Sequence, residues 1–318
     1  MGINAFTRVR NYVYLQVRIS YRLAKLARNI DLWIFFLGGE ALLLPMLAAK
    51  LLGKKVVLAL GGFIEKEGQI KKDMLYKPLS SLKRVNLALS NRIILYSPGL
   101  IEEWNLKKYR NKISIAHEHF LDFNKFRLEK PLTHRNNLIG YIGRLSQEKG
   151  ILNFMEAIPE VLEERGNTSF FVGGDGQLHD KVKQGLEREN LNKVQFVGWI
   201  PHDELPRYLS DLKLLVLPSY TEGLPNIMLE AMACGTPVLA TPVGAIPDVI
   251  RDCETGFIME DNSPECIARN IIRVLNHPNL EQIAQNVRAL VEREFTFEKA
   301  VERYREILRD PSNERKRD

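Results

Sequence analysis

Short apolar runs alternate along this chain with longer segments whose apolar positions recur every three or four residues. Residues 32–37, 55–60, 92–96 and 112–116 read as buried strands, and after a polar stretch at 129–137 so do 138–142, 168–172, 193–197, 214–217 and 237–240. Helical spacing fills most of the intervals, as at 40–52, 151–164, 177–189 and 226–234, and closing helices follow at 281–294 and 297–309. Strands that are apolar on both faces and separated by helices predict parallel sheets covered on both sides. The chain therefore reads as α/β, with two doubly wound domains joined near 125–137. Residues 5–29 alternate like a strand in part, but Ile19, Leu23 and Leu26 share one helical face and Arg18, Arg22 and Lys25 another. That stretch is expected to be one basic amphipathic helix.

Residues 32–49 carry a single charge, Glu40, and sit at the lower length limit for a membrane-spanning helix. Gly38-Gly39 interrupts them, Pro45 follows, and an acid at mid-membrane costs about 2.5–3.5 kcal/mol. A strand, a Gly-Gly turn and a core helix fit better. Arg8, Arg10, Arg18 and Arg22 interrupt any signal-peptide core, and Phe6 stands where a myristoylation site needs Ser or Thr.

Average globular composition over 318 residues, 45% of them hydrophobic, excludes fibrous, disordered and disulfide-scaffold classes. The three cysteines, Cys234, Cys253 and Cys266, form no CxxC pair, which favours a reduced, cytoplasmic compartment. Charge is divided unevenly. Residues 1–135 hold 24 Lys and Arg against 10 Asp and Glu, a net of +14, whereas the remainder nets −8. The basic half predicts an anionic partner, either nucleic acid, acidic lipid or a phosphorylated substrate; with acidic lipid the contact would be peripheral, at the cytoplasmic face of the membrane. No RRM, helix-turn-helix or zinc motif supports nucleic acid as that partner.

Four segments fall at strand ends in the second half, where doubly wound sheets bind ligands. Gly143-Arg144-Leu145-Ser146-Gln147-Glu148-Lys149-Gly150 offers a guanidinium fork and an ammonium suited to a pyrophosphate. Gly173-Gly174-Asp175-Gly176 is neither GxGxxG nor a Walker loop, but it lets a ligand approach backbone closely. Phe196-Val197-Gly198-Trp199-Ile200-Pro201 ends a strand on a glycine. In the fourth, Glu222-Gly223-Leu224-Pro225-Asn226 opens a helix with Pro225 at its first position, so that backbone amides at 223–226 face an anion. Glu230 follows among Ile227, Met228, Leu229 and Ala231, an apolar setting in which a carboxylate needs donors such as a ribose diol.

These motifs, GRLSQEKG, FVGGDG, FVGWIPHDELPRYLSDLKLLVLPS and EGLPNIMLEAMACGTPVLAT with its Glu222…Glu230 Glu-x7-Glu element, stand in order. From 138 to about 309 the chain resembles the nucleotide-binding domain of family 4 retaining glycosyltransferases. The resemblance implies a GT-B fold, two Rossmann-like domains facing a cleft, and transfer of a sugar from a nucleotide-sugar donor to a glycan or lipid-linked acceptor. It implies that Arg144 and Lys149 neutralise the donor pyrophosphate and that Glu230 holds the ribose. Gly143, Gly174 and the backbone of Val197 and Gly198 would line the donor, the last two at the base. Gly223, Leu224, Pro225 and Asn226 would contact sugar and phosphate, with Glu222 beside the transferred sugar. No metal and no cofactor would be needed, and no DxD triad is present.

The domains expected are an acceptor-side unit at 1–130, a nucleotide-sugar-binding unit at 131–295, a C-terminal helix at 296–310 packing back towards the first, and a disordered tail at 311–318. The first half departs from the family pattern. It lacks the opening strand, glycine loop and helix, so the first domain reads as truncated, and Gly61-Gly62 stands where many members place a histidine. His117-Glu118-His119 would put two imidazoles on one strand face. A donor-binding partner subunit without turnover is the alternative function.

Overall fold

The computed structural model describes residues 5–36, 38–61, 76–188 and 192–308. Gly62 and the expected tail lie outside the described residues. The chain divides into two compact units, 1–117 and 118–318.

The first unit opens with helix α1 (Ala5–Leu26), which continues as a 3₁₀ turn (Ala27–Asn29). Its inward stripe, Tyr12, Gln16, Leu23 and Ala27, follows helical spacing. Gln16 is buried because its side-chain oxygen accepts the Leu44 amide at 2.8 Å, and Tyr12 donates to the Ala41 carbonyl. These two bonds anchor α1 on α2 (Leu43–Leu51) and on the turn that precedes it. Among the described residues the unit continues with β1 (Leu32–Phe35), β2 (Lys55–Leu60), α3 (Tyr76–Leu89), β3 (Arg92–Leu95), α4 (Gly99–Glu103), a 3₁₀ helix (Lys107–Lys112) and β4 (Ile113–Ile115). The strands form one parallel sheet in the order β1-β2-β3-β4. Val56 to Leu60 are fully buried, as the apolar run demands of a central strand.

Three expectations shift here. The strand expected at 32–37 ends at Phe35, and Leu37 lies outside the described residues. The helix expected at 40–52 splits into a 3₁₀ turn (Gly39–Ala41) and α2, because Gly38 adopts a left-handed φ of 87° and the Ala41 amide bonds back to its carbonyl. β4 stops at Ile115, so His117-Glu118-His119 is not a strand. Among the described residues no helix is long and apolar enough to cross a membrane.

The second unit contains β5 (Leu138–Ile142), α5 (Ile151–Glu164), β6 (Ser169–Gly173), α6 (His179–Arg188), β7 (Val194–Gly198), α7 (Leu205–Asp211), β8 (Leu214–Leu217), α8 (Asn226–Ala233), β9 (Val238–Ala240), α9 (Ile246–Val249) and β10 (Phe257–Ile258). Helices α10 (Pro264–Leu275), α11 (Leu280–Glu294) and α12 (Phe297–Leu308) close it. All its strand pairs are parallel, in the order β10-β9-β8-β5-β6-β7. β5 therefore lies between β6 and β8, and the crossovers leave it in opposite directions, which makes a topological switch point. α10 packs on α5 and α11 on α8. Buried Arg135 ties the approach to β5 to the far end of α8. It donates to the carbonyls of Lys130 (2.9 Å), Leu212 (2.8 Å) and Cys234 (2.7 Å) and to Thr236 Oγ1 (2.6 Å). Two Rossmann-like units with parallel sheets constitute a GT-B-type α/β fold.

Candidate active site

The switch point fixes which loops can meet. The 143–150 loop leaves β5, the 218–225 loop leaves β8, and the loops at 174–178 and 199–204 leave β6 and β7 on the same side of the sheet. Backbone contacts lock the first three together. Gly143 N donates to Gly173 O at 3.0 Å, Leu145 N to Asp175 O at 2.9 Å, and Tyr220 N to Glu148 O at 2.9 Å. Gly174 has φ +136°, and a Cβ there would stand 1.8 Å from the Gly143 carbonyl oxygen. Gly150, at φ +68°, would put a Cβ 2.0 Å from the Pro218 carbonyl oxygen. Only glycine allows these loops to pack backbone on backbone.

A cleft of about 440 Å³ opens within the second unit, the size of a small-ligand site. Gly143, Arg144, Gly174, Asn226 and Glu230 line it, five of the residues singled out from sequence. The Arg144 guanidinium is half exposed and pairs with the buried Glu148 carboxylate at 2.8 Å. Tyr141 supports the loop from beneath by donating to the Arg144 carbonyl at 2.9 Å. Burial, then the carboxylates of Glu222 and Glu148, push the Tyr141 phenol far above its ordinary value, so it stays a donor.

Lys149 and Glu222 find each other instead of lining the cleft. The ammonium meets both carboxylate oxygens at 2.7 Å, and Ser219 Oγ donates to one of them at 2.7 Å. The pair is partly sealed, with the Glu222 side chain 8% exposed. The Gly244 turn supports the same loop from behind, where the Ala245 amide donates to Gly223 O at 2.8 Å. Pro225 precedes α8 rather than opening it. Its ψ of 120° is extended, so Asn226 is the first helical residue, and the first-turn amides begin there. Gly223, Leu224 and Pro225 adjoin the cleft in sequence without lining it. Val197 and Gly198 also stand outside the lining, and the Gly198 carbonyl accepts the Gly174 amide at 2.5 Å.

Several lining residues were not singled out from the sequence: Asp175, Trp199, Ile200, His202, Leu205 and Ile227. Trp199 is 70% exposed, and a large apolar side chain just past a strand end was the signal available. His202 mattered more. Its Nε2 lies 2.8 Å from Glu230 Oε1, and Lys125 Nζ lies 2.8 Å from its Nδ1.

Residues 122–290 match the family of glycosyl transferases group 1, a little over half of the chain. The chain belongs to that family. It is 28% identical over 237 residues to the capsular polysaccharide biosynthesis glycosyltransferase CapM of Staphylococcus aureus, covering 70% of this chain and 62% of that one. It is 31% identical over 142 residues to the 2-deoxystreptamine glucosyltransferase of Streptomyces kanamyceticus, covering 44% and 37%. Among solved structures, Anabaena Alr3699/HepE in complex with UDP superposes with a TM-score of 0.76 at 18% identity, over 91% of this chain and 81% of that one. The C-terminal domain of a group 1 glycosyl transferase, LpcC of Francisella tularensis, is 28% identical with a TM-score of 0.50, over 55% and 98%. The matches span 37–62% of the length of these curated relatives.

Proposed function

We propose that this chain is a family 4 retaining glycosyltransferase, in which Glu222…Glu230 is the Glu-x7-Glu element, and that it moves a sugar from a nucleoside-diphosphate donor to a glycan or lipid-linked acceptor. The observation that carries the reading is the convergence of Arg144, Gly143, Gly174, the start of α8 and Glu230 on one cleft at a switch point. In this reading the donor pyrophosphate lies against Arg144 and the first-turn amides of α8, and Glu230 takes the ribose hydroxyls. As the glycosidic C–O bond breaks, negative charge grows on the departing diphosphate. The guanidinium, the helix-end dipole and Lys149 oppose it with groups already oriented, where a metal would otherwise be needed. The acceptor hydroxyl attacks from the face the diphosphate leaves, its proton passes to the departing phosphate oxygen, and configuration is retained. Glu222, clamped by Lys149 and Ser219, stands beside the transferred sugar.

The acceptor side is proposed to work at an anionic membrane surface. α1 carries Arg8, Arg10, Arg18, Arg22 and Lys25 with no acid, and Tyr14 and Tyr21 are exposed on it. The capsular polysaccharide role named for the S. aureus relative fits such an acceptor.

Incubation with UDP-, GDP- and ADP-linked sugars and a panel of glycan and lipid-linked acceptors tests the reading. Release of one nucleoside diphosphate with an α-configured product is expected from an α-linked donor, and Glu222→Ala should lower turnover at least about 100-fold. An inverted product would contradict the retaining assignment, and nucleotide binding without turnover would favour the partner-subunit alternative.

A further inference from the structure

Glu230 carries the ribose in the proposed function, and the role of the groups around it rests on that reading. Glu230 is 8% exposed and sits on α8 beside Leu229 and Ala231, both buried. A charge in that setting needs a donor. Oε1 has one, His202 Nε2 at 2.8 Å, and no other protein donor reaches the carboxylate among the described residues. The donor is itself controlled. Lys125 Nζ lies 2.8 Å from His202 Nδ1, and an ammonium has only hydrogens to offer, so Nδ1 must accept. The ring proton is then on Nε2, the tautomer that donates to Glu230. Asp203 Oδ1 holds the same ammonium at 2.5 Å, and Phe126 meets the imidazole edge-on with centroids 5.4 Å apart.

We infer that His202 is the positioning residue for Glu230 and that Lys125 selects its tautomer, so that the chain Asp203–Lys125–His202–Glu230 presents the second carboxylate oxygen to the ribose diol of the donor. One oxygen is fixed by the protein, and the other is left to accept from a vicinal diol. The three helper residues come from the 118–137 segment and the loop after β7, elements that approach α8 only in the folded unit. His202 is 60% exposed, so replacing it leaves the core intact.

The test compares UDP, GDP and ADP with their 2′,3′-dideoxy forms by calorimetric titration into the full chain and into His202→Leu, His202→Gln and Lys125→Met. Wild type is expected to prefer the ribo form of the nucleotide it binds. His202→Leu should weaken that form about 10-fold or more and the dideoxy form clearly less. His202→Gln, whose amide still donates, should recover most of the loss, and Lys125→Met should fall between. In the free protein, the imidazole ¹⁵N spectrum should show protonated Nε2 and bare Nδ1. Equal weakening of both forms by His202→Leu, or no weakening of either, overturns the inference, and a protonated Nδ1 removes the part given to Lys125. Wild-type binding without any ribo preference removes the role of Glu230 and this inference with it, whereas no binding at all overturns the proposed function itself.

Discussion

The two sheets of this molecule are built by the same rule and end differently. In the first unit four parallel strands follow one another in chain order, β1 to β4. In the second, β5 starts in the middle, and the chain winds first to β7 on one side and then to β10 on the other. The reversal parts the crossover connections above β5 and β8 and leaves a crevice into which four loops project. Five residues expected from the sequence at a donor site, Gly143, Arg144, Gly174, Asn226 and Glu230, line that crevice. Chemistry of the first unit is of another kind, with 20 Lys and Arg against 7 Asp and Glu in residues 1–117, against 25 and 32 in the rest. One unit concentrates geometry and the other concentrates charge.

The hardest way to break the contrast is to remove what ties the second unit's sheet to the far end of α8. Arg135→Met strips the donors from three carbonyls, those of Leu212 and Cys234 buried, and from Thr236 at once. Urea unfolding followed by the signals of that unit should show a loss of at least about 3 kcal/mol. Gly174→Ala acts more locally. Its Cβ would meet the Gly143 carbonyl in a left-handed backbone, and the expected cost is about 1–3 kcal/mol, with nucleotide binding lost beyond what the stability change explains.

Alkali gives an intermediate effect. Burial pushes the Cys234 thiol up to about 11 from its ordinary 9.0. The unfolded chain then releases this proton first, so the second unit should lose stability as pH rises from 9 towards 11, by at most about 2–3 kcal/mol. Thermal melts across that range should show a shallower decline for Cys234→Ala. The smallest effect per residue belongs to the basic helix. Changing Arg10, Arg18 and Arg22 to Glu should weaken flotation with anionic vesicles at low salt by about 1 kcal/mol for each charge removed, with nucleotide affinity unchanged. No retention of the wild type on such vesicles would sink the membrane part of the proposal.

Much of the fold was legible because its strands are continuous apolar runs. β2, β5 and β8 and helix α5 have the bounds that periodicity predicts. β10 was missed, since Phe257-Ile258 is too short to show any period. The break at Gly39–Ala41 depends on a left-handed Gly38, which composition alone does not reveal. For the site, glycine-rich strand ends pointed to loops that border one cleft, and Arg144, Asn226 and Glu230 line it. Partnerships were not legible. Lys149 and Glu222 are 73 residues apart and Lys125 and His202 are 77 apart, so only the winding of the sheet brings them together.

Calorimetric titration of UDP, GDP and ADP into wild type and Lys149→Ala tests the central claim most directly. The account predicts that one diphosphate binds the wild type and that the variant, having lost a charge-assisted contact and left Glu222 with only Ser219 as donor, binds it about 1.5–3 kcal/mol more weakly. Binding of none of the three, or equal binding by both proteins, would contradict it.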